Sequence, residues 1–324
     1  LDHQIDRDVS AGTLREIHGI GPAVERIVHE YVATGRSTAV DAALEAASAT
    51  ARADVLKRRG LRENFLSWAG VLDAFAADLP DAISPADFRG DFQMHTTWSD
   101  GAVDIETMAR AGAERRWTRI AVTDHSYGLP IARGMSMEHV RRQHLEIDAL
   151  NEKLDGRFRV LKGVEANITA DGRVDMEPHE LAAFELVIAS PHSVLRKSYD
   201  QTARMLGAVR TRGVHILGHP RGRLFNSRPG VLADWDRVFA EAARRRVAIE
   251  LDGTWDRQDI DFELARRALD AGCVFAIDSD AHSVRELEFV QYGLAHARLA
   301  GIPPDRVINC WDDKRLDEWS RDMR

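Results

Sequence analysis

The chain has 324 residues, 44% hydrophobic and 30% charged, with a net charge of -8 when histidine is neutral. That length accommodates one large domain and a small one, and the acidic balance excludes a broad basic surface that would grip duplex nucleic acid. A local basic groove, or metal ions that offset acid around a phosphate, stays open.

Two cysteines, Cys273 and Cys310, lie in no CxxC pair. This excludes a disulfide framework and predicts a reducing, cytoplasmic setting. No apolar run approaches the roughly 18 residues of a membrane span, so no membrane partner is expected. The opening Leu1-Asp2-His3-Gln4 is not a signal peptide. Because the first residue is not Met, the chain is expected to begin inside a longer one.

Residues 1–80 read as a helical domain. Leu14, Ile17, Val24, Ile27, Val28 and Tyr31 recur at helical spacing, interrupted by Gly19-Ile20-Gly21-Pro22. An Ala-rich stretch (39–53) and an apolar one (61–79) follow. Pro80 and Pro85 punctuate what comes next, and residues 81–89 are expected to be a linker.

From residue 90 the pattern changes. Seven short apolar runs end at or near His95, His125, Glu165, His192, His219, Asp252 and Asp280-Ala281-His282. Helical stretches separate them at 103–116, 136–155, 198–212, 231–245, 260–271 and 283–300, with a poorer pattern over 169–185. Gly156, Gly213, Gly272 and Gly301 mark stops. Repeated strand–helix order with seven strands predicts a closed or nearly closed α/β barrel. The rival is an open doubly wound sheet, but no Gly-rich phosphate loop is present and the polar ends are spread over nearly all strands.

Five of the 13 histidines, His95, His125, His192, His219 and His282, stand at strand ends among carboxylates. A lone histidine is ordinarily a surface or hydrogen-bonded residue. Five that converge imply metal, and more ligands than one tetrahedral site uses. Two or three divalent ions (Zn, Mn or Fe) are expected, an arrangement suited to in-line phosphoryl displacement. His3, His18, His29, His139, His144, His179, His215 and His296 are expected to be non-catalytic. His29 and His296 read as helix-surface residues, and His215 as a strand residue facing the outer helices.

The run Gly90-Asp91-Phe92-Gln93-Met94-His95-Thr96-Thr97-Trp98-Ser99-Asp100-Gly101, with Thr123-Asp124-His125, Glu165, Ser190-Pro191-His192, Gly218-His219-Pro220 and Ser279-Asp280-Ala281-His282, resembles the PHP (polymerase and histidinol phosphatase) phosphoesterases. The resemblance covers residues 90 to about 310 and is strongest to the carboxyl-terminal PHP domain of bacterial family X DNA polymerases. It implies a distorted (β/α)7 barrel over residues 90–324 with a trinuclear site. One metal would be held by Gln93, His95, Glu165 and Asp280, a second by Glu165, His192 and His219, and a third by Asp100, His125 and His282. Gln93 departs from the usual HxH opening, which implies either weaker binding of the first metal or a harder ion such as Mn there. Of these ligands, Glu165, His192, His219, Asp280 and His282 are expected to be catalytic.

Charge suggests the chemistry. Metal ions lower the pKa of bound water towards about 7, giving hydroxide that attacks phosphorus in line. Arg221, Arg223 and Arg228 follow the fifth strand and are expected to bind substrate phosphate, as is Arg257, because guanidinium matches phosphate as a planar fork. Asp124 and Asp278 adjoin ligands and are expected to orient them. Glu250 and Asp252 end the sixth strand, where a buried hydrogen-bonding role competes with chemistry.

Leu14-x-x-Ile17-His18-Gly19-Ile20-Gly21-Pro22 looks like a helix-hairpin-helix element, with Gly19 and Gly21 offering backbone NH groups to a DNA phosphate. A plain glycine turn between packed helices is the alternative. The residues outside the barrel lack the sheet with Gly-Ser and paired acids that nucleotidyl transfer needs, so polymerase activity is not expected. The leading expectation is metal-dependent hydrolysis at DNA ends, as a 3′–5′ exonuclease or a 3′-end phosphatase or phosphodiesterase. The alternatives are a small-molecule phosphomonoesterase of the histidinol-phosphatase type, and an inactive DNA-binding accessory protein.

Overall fold

The computed structural model describes residues 3–324, and the chain divides into two compact units, residues 1–77 and 78–324.

The first unit is all helical: α1 (Ile5–Ala11), α2 (Pro22–Thr34), α3 (Thr38–Ala46), α4 (Ala49–Gly60) and α5 (Trp68–Ala76). Serines start three of them, with Ser37, Ser48 and Ser67 accepting from the NH three residues on. Between α1 and α2 the chain makes a short 3-10 turn (Leu14–Glu16) and a glycine turn, in which Gly19 takes φ 89. Leu14 is buried beneath this turn.

The second unit alternates strands and helices: α6 (Ile105–Glu114), β1 (Arg119–Val122), α7 (Met137–Leu154), β2 (Arg159–Asn167), α8 (Pro178–Leu181), β3 (Leu186–Ser190), α9 (Thr202–Arg210), β4 (Ile216–Leu217), α10 (Trp235–Arg245), β5 (Ala248–Asp252), α11 (Phe262–Asp270), β6 (Phe275–Asp278), α12 (Val290–Ala300) and α13 (Asp313–Met323). The six strands are parallel and pair in sequence order, β1 to β6. Aspartates cap α6, α10, α11 and α13.

The seventh strand expected at 92–95 is not a regular strand. Its backbone donors are taken by side chains: Phe92 N donates to Asp278 Oδ1 (2.7 Å), Gln93 N to Asp91 Oδ1 (3.1 Å) and Met94 N to Thr123 Oγ1 (3.0 Å). The segment still reaches both edges of the sheet. Ala121 N and Thr123 N donate to Asp91 O and Met94 O, and His95 N donates to Ala281 O.

Residues 81–89, expected as a linker, are hydrogen-bonded within the second unit. Ile83 is fully buried, donates to Ile302 O and accepts from Arg298 Nη1.

Strand periodicity places the core. Ala121, Leu161, Ile188, Ile216, Ala248 and Ala276 gather with Phe92 inside the sheet's curve, over Trp311, Leu316 and Trp319. Outside it, Ile120, Val122 and Val160 pack on Ile105 and Met108 of α6 and Ile147 of α7. His215 does not face the outer helices as expected. It accepts from Val187 N through Nδ1, leaving Nε2 to donate to Ser320 O of α13, and its ring meets Trp319 at 5.6 Å. Burial lowers its pKa to about 4, so it is a neutral structural residue. His296 is likewise fully buried, not on the surface, between Phe262 N and Gln258 Oε1.

Trp319 packs in the core, 1% exposed, with its indole NH donating to Arg246 O. Trp319→Ala should cost about 3–5 kcal/mol, read as a lowered urea midpoint at unchanged slope.

Candidate metal centre

Counting on by two from the apolar interior, five of the six strands turn polar at their carboxyl ends, and in β4 His219 stands one residue out of that phase. Ala121 leads to Thr123 and His125, Leu161 to Gly163 and Glu165, Ile188 to Ser190 and His192, Ala248 to Glu250 and Asp252, and Ala276 to Asp278 and Asp280. Every one of these polar side chains except His192 is nine-tenths buried or more.

Glu165 lies among the imidazoles. Its Oε1 is 2.9 Å from His219 Nε2 and 3.3 Å from His192 Nε2, and its Oε2 is 2.9 Å from His125 Nδ1 and 3.6 Å from His95 Nε2. His95 Nε2 also meets Asp280 Oδ1 at 3.0 Å. Asp100 Oδ1 faces His282 Nε2 (3.4 Å), His125 Nε2 (3.6 Å) and His95 Nδ1 (4.0 Å). His95 stacks between His125 and His282, with both ring centroids at 4.3 Å.

Three groups with converging donor atoms result: His95, Asp100, His125 and His282; His125, Glu165 and His192; and His95, Glu165 and Asp280. These groups contain every His, Asp and Glu expected as a ligand except His219, which stands outside them with its Nε2 2.9 Å from Glu165 Oε1. The structure adds sharing, since His95 and His125 each stand in two groups.

The donor set fits divalent ions on an observation of its own. Gln93 is fully buried, and neither its amide oxygen nor its nitrogen has a hydrogen-bond partner. An unpaired buried polar group costs about 1–3 kcal/mol, and an amide oxygen on a hard cation would remove that cost. His95 Nδ1 and His219 Nδ1 are unpaired in the same way. Two of the expected ligands also sit in the left-handed region, His219 at φ 22 and Asp280 at φ 52. Such backbone strain persists where the surroundings impose it, commonly at functional sites.

Environment divides the acids in this cavity into two sets. Burial would raise Glu165, but the charges of His192 and His125 hold it well below the usual carboxylate range. Burial is likewise overcome at Asp100, which the His282 hydrogen bond and neighbouring imidazoles hold at about 2. At Asp280, Arg257 and His95 outweigh burial. Beneath them, burial and mutual repulsion push Asp91 and Glu250 well up, Asp278 to about 6 and Asp252 to about 7.

Asp124 is the anchor of the loop that carries Asp100. It accepts from Thr96 N (2.8 Å), Ser99 N (3.0 Å), Ser99 Oγ (2.5 Å), Thr96 Oγ1 (2.7 Å) and Gln143 Nε2 (2.7 Å). It orients a ligand through the loop backbone, not through an imidazole. Gly101 completes that turn, where a Cβ would collide with the His95 carbonyl.

Of the arginines, Arg257 reaches the centre, with Nη1 2.7 Å from Asp280 Oδ2 and 3.0 Å from Asp252 Oδ2. Arg228 gives Nε to Gly222 O. Burial, and then the like charges of Arg257 and Arg196, lower its pKa. Arg223 corrects the expectation. It is 3% exposed and donates to Arg257 O, Gln258 O and Asp261, so it holds the loop instead of meeting substrate. Arg221 shares Asp261 and also donates to Pro229 O.

Sequence reasoning missed Asn167, whose Oδ1 lies 3.2 Å from His192 Nδ1. Its position two residues beyond Glu165 on the same strand was a usable signal. Gln143, on a distant helix, offered none.

Parallel strands deliver these imidazoles and carboxylates to one cavity that could hold divalent ions. Two sequence relatives are named as phosphoester-hydrolysing proteins. The chain is 36% identical over 234 residues to the DNA polymerase/3′-5′ exonuclease PolX of Bacillus subtilis, a match covering 72% of this chain and 41% of that protein's length. It is 27% identical over 250 residues to a protein described as a probable phosphatase in a Thermoanaerobacter species, covering 72% of this chain and 95% of the relative. No family model matches. Among solved structures, the histidinol phosphate phosphatase of Lactococcus lactis, complexed with zinc, L-histidinol and phosphate, aligns with a TM-score of 0.48 and 15% identity over 64% of this chain and 93% of that one. The homology supports a phosphoester hydrolase. No helix among the described residues is long and apolar enough to cross a membrane.

His282 gives a test of metal binding that needs no substrate. Burial would lower its pKa, but the Asp100 hydrogen bond and the Asp280 charge raise it to about 9. Below that pH it holds a proton that a metal must displace. Mn addition near pH 7 should therefore release about one proton per chain from this residue, measured by calorimetric titration in buffers of different ionisation enthalpy. The release should fade as the pH rises past that value, and His282→Ala should remove it.

Proposed function

We propose that the chain hydrolyses phosphoester bonds at DNA ends, as a 3′–5′ exonuclease or a 3′-end phosphatase or phosphodiesterase. The observation that carries this reading is the juxtaposition of the Glu165–imidazole cluster with the Arg257 guanidinium, 2.7 Å from the ligand Asp280. Its DNA component is supported by the relationship to a protein named as a 3′-5′ exonuclease.

Gln93, His95, Glu165 and Asp280 would hold one ion, Glu165, His192 and His219 a second, and Asp100, His125 and His282 a third. Bound divalent ions would supply an activated water and neutralise phosphate charge. The chain's own residues do the rest. Arg257 and Arg228 present guanidinium to the phosphate oxygens. Asp252 and Asp280 hold Arg257 in place through its Nη1. The layer of raised carboxyls below keeps negative charge at the level of the ligands. Substrate enters past His192 and His282, whose side chains are 19% and 35% exposed.

In the helical unit, the Gly19–Gly21 turn leads into α2, whose first turn has no side-chain cap. Its free NH groups would hold a DNA phosphate as a helix-hairpin-helix element does. A second reading, a small-molecule phosphomonoesterase, is favoured by one fact: the relatives matched over nearly their whole length are described as phosphatases.

His219→Ala or Asp280→Ala should reduce hydrolysis by more than about 100-fold, beyond the usual effect of losing a residue that supports a ligand. Turnover of single-stranded DNA and of a phosphomonoester with Mn, each against the His219→Ala control, checks this. DNA cleavage no greater than in that control would end the nuclease reading. A Cβ at Gly21 meets nothing within 4 Å, so Gly21→Asp should fold. It should weaken oligonucleotide binding several-fold, measured by fluorescence anisotropy, with little effect on the phosphomonoester. Equal losses on both substrates would leave the turn a purely structural element.

A further inference from the structure

Helix α7 buries a stripe of side chains against the barrel: Val140, Ile147 and Leu150, all apolar, and Gln143. Gln143 stands three residues after Val140 and four before Ile147, at a position where an amphipathic helix ordinarily carries an apolar residue. It is fully buried, and its Oε1 has no hydrogen-bond partner. Its Nε2 donates to Asp124 Oδ2 at 2.7 Å. Half of a buried amide is thus left unsatisfied, a cost that an apolar side chain would avoid and that the other half must offset.

Asp124 shows what that donor holds. Four other groups donate to its carboxylate, and all belong to the loop that carries Asp100: Thr96 N, Ser99 N and Ser99 Oγ on Oδ1, and Thr96 Oγ1 on Oδ2. Thr96 Oγ1 in turn accepts from Trp98 N. Among the described residues, Gln143 is the single donor to Asp124 from outside this loop. Asp124 also precedes His125 in the chain, so one carboxylate stands behind two members of the group His95, Asp100, His125 and His282.

The same helix holds the loop a second time. Trp98 Nε1 donates to Glu146 Oε2 (2.9 Å), and the Arg142 guanidinium lies over the indole, 5.6 Å from its centroid. Glu146 is three residues beyond Gln143, about one helical turn. Glu165, by contrast, stands in β2 itself, and His192 and Asp280 lie two residues past β3 and β6. Asp100 has no regular strand beneath it, and its side chain is 32% exposed where that of Glu165 is fully buried.

We infer that α7 positions the ion assigned to Asp100, His125 and His282, through Gln143 and, at Trp98, through Glu146, and that this ion is held separately from the other two. Gln143 is a positioning residue, since it acts through Asp124. The inference rests on the ligand assignments of the proposed function and on no choice of substrate.

The test uses Mn alone. Ions bound per chain are counted by equilibrium dialysis over a range of Mn concentrations in the unaltered full chain, Asp100→Ala, Gln143→Met and the double variant. Asp100→Ala should lose one ion. Gln143→Met removes the donor and the orphan oxygen together at nearly unchanged volume, so its urea midpoint should stay close to that of the unaltered chain. It should need about tenfold more Mn to fill the same one ion, the lower end of what an outer hydrogen-bond partner of a metal ligand supplies. The double variant should match Asp100→Ala. An unshifted Mn requirement in Gln143→Met would overturn the inference, and so would an equal shift for every ion, which marks general loosening. If Gln143→Met does not fold, Glu146→Ala on the exposed side of α7 decides: it should raise the requirement of that one ion, and no change would overturn the inference. An Asp100→Ala chain that loses no ion would remove the ligand assignment itself, whereas a lost ion there with no shift in Gln143→Met would remove the role of α7 alone.

Discussion

The ligand-bearing segment from Asp91 to Gly101 is held by carboxylates where a β-ladder would ordinarily hold it. Asp278 takes Phe92 N, Asp91 takes Gln93 N and Ser279 N, and Asp124 takes Thr96 N and Ser99 N. Each of these acids is fully buried, so an unmade bond would leave a desolvated acceptor with no water to replace the lost donor. The segment consequently cannot slide in register as an unspecified strand can. Gln93, His95 and Asp100 all hang from it.

The same acids shape the field around the ligands. Asp91, Glu250 and Asp278 are buried together and favour protonation, while Glu165 and Asp280, one layer higher, are kept ionised by imidazoles and Arg257. Two sets of carboxyl groups in one cavity thus shift in opposite directions because their neighbours differ. The lower set fastens backbone, as Glu250 does at His219 N and Asp278 at Phe92 N. The upper set faces imidazoles and Arg257.

Much of this was legible in the sequence for a simple reason. Val160–Glu165 and Phe275–Asp280 end apolar runs in an acid, and parallel strands bring such ends to one rim whatever their order in the chain. Local pattern could not show which acids face ligands and which face backbone. Asp278 and Asp280 look alike in sequence, yet one pins a distant segment and the other meets His95. Nor could it show that Arg223 is enclosed, since the groups enclosing it, Asp261 and the carbonyls of 257 and 258, come from the next strand's loop. His296 was misplaced on the surface because a polar residue on an amphipathic helix ordinarily faces water. Its partner Gln258 lies 38 residues away. The 92–95 run was taken for a strand because its composition suits one, and its side-chain partners in part lie nearly 190 residues further on.

That separation has a kinetic meaning. Phe92 reaches Asp278 across 186 residues, Arg119 reaches Asp313 across 194, and Gly90 meets Asn309 across 219. Contacts so remote in the chain are expensive to close and form late, because loop entropy is lost before they contribute. During folding, His95 and Asp100 therefore wait for residues made long after them. Until those contacts close, Glu165 and His192 on the middle strands lack the neighbours His95 and Asp280 that complete their cluster.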